Sequence, residues 1–110
     1  MKYRQTRIYQ HALALCSNAQ QHIETLPRGF AYLADQLKRA SSSVLLNFSE
    51  GQAKRTFRER KRYFSCAKGS IYEVAAVFDL MRGFNLISEK TCAANIAACE
   101  QLAAMLEKYR

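Results

Sequence analysis

Apolar side chains recur along this chain at spacings of three and four, the repeat that gathers them on one face of an α-helix. In a first stretch, from about Tyr3 to Glu24, the repeating positions are Ile8, Ala12, Leu15, Ala19 and Ile23. "LPRG" (Leu26 to Gly29) ends it, because Pro27 disfavours helical geometry in the residue before it. A second stretch, from about Phe30 to Glu50, repeats Leu33, Leu37, Ala40, Val44 and Phe48, with Gly51 as a natural stop. After the short loop "QAKR", Thr56 and Glu59 form a T-x-x-E capping box, so a third helix starts near Phe57. Phe57, Phe64, Ala67, Ile71, Val74, Phe78 and Met81 make its inward stripe, and Gly83 stops it. Ser88 caps a fourth helix reaching about Lys108, with Cys92, Ile96, Cys99, Leu102 and Leu106 inward. No alternating, strand-type pattern persists. The pattern predicts an all-α, up-down-up-down antiparallel four-helix bundle, one domain over residues 1–110.

Charge changes the picture. The net charge is +8, and it is unevenly spread. Residues 1–68 hold 13 Lys/Arg against 4 Asp/Glu, whereas residues 69–110 hold 4 against 5. Such asymmetry points to a polyanionic partner, nucleic acid or an acidic protein surface, with a merely solvated face as the plainer alternative. The charge is densest in "NFSEGQAKRTFRERKRYF", Asn47 to Phe64. At about 100° per residue, Arg58 and Arg62 point well away from the apolar arc, while Lys61 and Lys68 flank it. With Lys54 and Arg55 in the loop, these six make a candidate surface for the phosphates of RNA or DNA. Tyr63 beside them can stack on a base or pack against another subunit. Arg60 lies close to the apolar arc, so it is expected to satisfy a carboxylate or helix-end carbonyls.

Other polar residues read as structural. Asn47 falls on the inward half of its helix, where its amide needs partners and can fix register. Glu50, near a helix C-terminus, opposes the macrodipole and calls for a cation, with Arg60 or Arg55 nearest. Glu73 is expected to pair with Arg39.

Catalytic and metal chemistry find little support. Cys16, Cys66, Cys92 and Cys99 form no C-x-x-C pair, and they read as core thiols in a reducing cytoplasm. His11 and His22 are the only histidines. Arg4 precedes His11 by seven residues, a spacing loosely like that of HEPN-type helical ribonucleases, although that family places the pair late in the chain. No nucleophile–base pair, carboxylate cluster or Gly-rich phosphate loop is present, so neither an enzyme nor a cofactor is expected. The N-terminus "MKYRQTRIYQ" is charged with no apolar region behind it, and no stretch approaches a membrane span, so a cytoplasmic location is expected.

"DQLKRASSSVLLNFSEG", followed by "RTFRERKRYFSCAKGSIYE" and a final amphipathic helix, resembles the bacterial four-helix-bundle family encoded in intervening sequences of 23S rRNA genes. A related branch comprises accessory proteins of diversity-generating retroelements. The family pattern is met by Gln36, Arg39, Ala40, Ser43, Asn47, Glu50 and Gly51, then by Ala67, Gly69, Ser70 and Glu73. Phe48 and Ser49 stand where Ile-Ala is usual. The resemblance implies a non-enzymatic binding role, a ring-shaped homopentamer, and association with nucleic acid and a reverse transcriptase. A scaffold that recruits a protein without touching nucleic acid is the alternative. For the pentamer, Gly69 and Ser70 are expected on the side of the third helix away from its apolar arc, where small residues let a neighbour approach.

Overall fold

Thr6 decides where the first helix begins. Its backbone is extended, and its hydroxyl accepts the Tyr9 N–H, so the helix opens at Arg7. Residues Lys2–Gln5 form a separate 3-10 turn rather than the start of one long helix. The computed structural model describes residues 1–110 and contains four α-helices: α1 (Arg7–Ile23), α2 (Ala31–Gln52), α3 (Phe57–Gly83) and α4 (Glu89–Lys108). Thr56 and Ser88 cap α3 and α4 by accepting the N–H groups of Glu59 and Thr91, as the sequence predicts. Gly29, at φ 100°, turns the chain between α1 and α2.

Consecutive helices pack side by side and α1 closes against α4, giving an elongated bundle of 44 × 23 × 21 Å. The predicted stripes meet in one apolar core, within which Phe48, Phe78, Leu33 and Leu37 are fully buried. At one end the rings of Phe48, Phe64 and Tyr109 cluster with centroids 5.1–5.6 Å apart. The α1–α4 face is partly polar. The Asn18 amide donates to the Asn95 side-chain carbonyl, while the Asn95 Nδ2 donates to Thr91 O at 2.9 Å and lies 3.5 Å from His22 Nε2. His22 meets the Phe78 ring edge-on at 5.2 Å. Its partial burial holds the imidazole pKa below the ordinary value.

The structure departs from the sequence reading at several positions. Gly51 does not stop α2. The helix runs through it to Gln52, and the glycine is buried because the Phe64 ring occupies the space a side chain would need. Phe57 is not inward. As the first residue of α3 it lies where the facing stripe has run out, and it is exposed. Ser70 turns toward α2 rather than away, its hydroxyl bonding that of Ser43 at 2.9 Å, whereas Gly69 is exposed. Cys66 is exposed and Cys16 only half-buried, so only Cys92 and Cys99 are core thiols.

Candidate nucleic-acid interface

The cationic stretch is held at the corner where α2 gives way to α3. Thr56 and Glu59 lock the start of α3, the Thr56 hydroxyl also donating to Glu59 Oε1 at 3.0 Å. The one acid of the stretch is thereby engaged in the cap. Arg60 reaches back, as expected, to main-chain carbonyls: its Nη1 donates to the oxygens of Lys54 and Arg55 at 3.2 and 3.1 Å. That contact fixes the loop whose two cations lead into the helix. Arg55, Arg58, Lys61 and Arg62 are exposed, and the Lys54 ammonium stands 5.0 Å from the centre of the Tyr63 ring. The corner therefore brings together five of the six predicted phosphate-binding cations.

Lys68 differs. Further along α3, it forms an ion pair with Glu107 of α4 at 2.8 Å. Their shared bond holds the Lys68 pKa up and the Glu107 pKa down from their ordinary values. No other Lys or Arg in the chain lies within 4.0 Å of a carboxylate. The cations of the corner thus form no ion pair within the fold, although Lys61 lies near enough to Glu107 to lower its pKa.

The polar residues read as structural fare less uniformly. Asn47 is half-buried, and its amide nitrogen is used locally, donating to the carbonyl and hydroxyl oxygens of Ser43 at 2.9 and 2.8 Å. Through Ser43 and Ser70 this network crosses to α3. Glu50 is exposed and pairs with neither Arg60 nor Arg55, as the helix continues beyond it and Arg60 is turned to main-chain carbonyls. Arg39 and Glu73 are likewise exposed and unpaired, as solvated charges gain little from such a bridge. Arg39, Asn47 and Glu50 instead line a shallow depression of about 460 Å³ on the outer side of α2.

The Arg4–His11 spacing loses its geometric basis. Arg4 sits in the 3-10 turn, and extended Thr6 separates it from α1, so no common helical face carries the pair. No three His, Cys, Asp or Glu side chains converge into a metal-binding group. No helix is long and apolar enough to cross a membrane. A groove of about 560 Å³ runs between α3 and α4, floored by Ile71, Ala75, Ile96 and Cys99, with Lys68 and Glu107 among its lining.

Sequence reasoning missed one cation of the corner. The Arg110 guanidinium lies 5.4 Å from the centre of the exposed Phe57 ring. Arg110 is remote from the basic run in sequence, and only the return of α4 beside α3 brings it near.

Comparison with protein-family models matches residues 4–108 to the family described as 23S rRNA-intervening sequence protein. Comparison with individual curated proteins yields no match.

Proposed function

The chain belongs to the family of 23S rRNA-intervening sequence proteins, and from that premise we propose that it is a non-enzymatic accessory protein that binds RNA or DNA at the α2–α3 corner. One observation carries the reading. Lys54, Arg55, Arg58, Lys61 and Arg62 crowd one capped, braced corner, and none of them is tied up in an ion pair. Arginine forks and lysine point charges in such a cluster suit phosphate oxygens, whatever the base sequence. The family resemblance extends the proposal to a homopentameric ring with a reverse transcriptase as protein partner. In a ring the corner would repeat in every subunit, so modest interactions would add by avidity. Exposed Leu46, Tyr72 and Leu80 supply apolar surface on which copies can meet.

Anisotropy titration of a labelled oligonucleotide at several salt concentrations tests the reading. Replacing Arg58 and Arg62 with Ala is expected to weaken binding to all sequences. It is also expected to flatten the salt slope by roughly one unit for each phosphate the variant no longer neutralises. Equal affinity and slope in the two proteins would overturn the nucleic-acid role and leave the protein-recruiting scaffold. Light scattering that returns a stable monomer at micromolar concentration would overturn the ring.

A further inference from the structure

The basic corner carries two aromatic rings as well as its cations. Phe57 is 40% exposed at the first position of α3, with the Arg110 guanidinium 5.4 Å from its centroid. Six residues on, half-buried Tyr63 carries the Lys54 ammonium at 5.0 Å. A cation over a ring occupies the π-face on which a nucleobase stacks. The backbone around these rings is fixed before any ligand arrives. The Thr56–Glu59 cap sets the position of Phe57, and Arg60 clamps the carbonyls of Lys54 and Arg55. The base of the Tyr63 side chain lies against the helix at Gly51, where a β-carbon would approach its Cβ to 3.2 Å.

Resting on the nucleic-acid reading above, we infer that this corner takes single-stranded nucleic acid. Unpaired bases stack on Phe57 and Tyr63, and Arg110 and Lys54 leave the rings for the flanking phosphates. A duplex keeps its bases stacked on one another, so it can use the cations but not the rings. The two ligand classes therefore separate the contributions: charge serves both, and the aromatic faces serve only the single strand.

The experiment compares a labelled oligothymidylate strand of roughly 20 nucleotides, enough to span a typical single-strand site, with a DNA duplex of the same length, by anisotropy at several salt concentrations. The proteins are wild type, Phe57→Leu, and Phe57→Leu with Tyr63→Leu; leucine keeps apolar bulk and removes the π-face. Tighter binding of the single strand by wild type is expected. The double variant is expected to lose roughly ten-fold in single-strand affinity, with duplex affinity and both salt slopes unchanged. Phe57→Leu alone, at an exposed site, gives part of that loss and guards against misfolding of the double variant, which a thermal melt also monitors. A duplex bound as tightly as the single strand by wild type, or variants that lose both equally or neither, would overturn this inference alone. Wild type that binds neither ligand at low salt would overturn the phosphate-binding role itself, and this inference with it.

Discussion

Gly51 and Phe64 meet so closely that a β-carbon at position 51 would stand 2.6 Å from Cε1 of the Phe64 ring. The ring has little room to retreat, because it is packed between Phe48 and Tyr109 with centroids 5.6 and 5.5 Å away. Gly51→Ala is therefore expected to lose about 1–3 kcal/mol through overpacking, in spite of the better helix propensity of alanine. Gly69, also inside a helix, has nothing within 4 Å of its would-be β-carbon. Gly69→Ala is expected to gain about 0.5–1 kcal/mol. Urea unfolding of both variants checks the opposite signs.

That close approach also marks the boundary of what the sequence reveals. Spacing alone identifies the buried stripes of α2, α3 and α4, since Leu37, Ile71 and Leu102 need only the helical period to be placed inward. Thr56 and Ser88 announce helix starts because their capping geometry is local. Gly51 and Phe57 mislead for one reason. Whether a glycine ends a helix or admits a ring, and whether a terminal phenylalanine has anything to cover it, depends on the neighbouring helix. The same holds for the site. The cations of the corner are legible along the chain, but the diversion of Lys68 to Glu107 and the arrival of Arg110 come from α4.

His22 makes the bundle sensitive to mild acid. Its folded pKa is lowered by burial from the ordinary 6.5, so between the two values the unfolded chain binds the extra proton. Stability is expected to be greatest above pH 6.5 and to fall as the pH drops through that window toward the folded value. Urea melts from about pH 7.5 to about pH 5 measure the slope, and His22→Gln is expected to reduce it.

The exposed and core thiols should separate by accessibility. Cys66 is exposed, whereas Cys92 and Cys99 are in the core, where burial first and Glu100 second push the Cys99 pKa up to about 11. Titration with an aromatic disulfide at about pH 8 is expected to label Cys66 at once and the two core thiols only on denaturation. Cys66→Ser removes the fast phase.

Glu107 acts as a restraint on the cationic surface. It holds Lys68 at 2.8 Å, and Lys61 also lowers its pKa. Both partners of the pair are exposed, so Glu107→Gln is expected to leave the melting temperature nearly unchanged. If the phosphate-binding role holds, the released lysine raises oligonucleotide affinity and steepens the salt slope by about one unit. The same titrations used for the arginine variants read both quantities.

The amide pair joining α1 to α4 matters for how the bundle finds a single folded state. Sliding α1 along its neighbours by seven residues would put Leu15 where Ile8 had been and Ala19 where Ala12 had been, so these two apolar positions do not by themselves fix the register. The other half of the stripe penalises the slip, since it brings His22 to the buried place of Leu15, and the amide pair adds to that penalty. The slipped arrangement strands Asn18 and leaves the 8%-exposed Asn95 without its partner, at a cost of about 1–3 kcal/mol for each unsatisfied group. The amides thus widen the energy gap between the native bundle and its closest competitors.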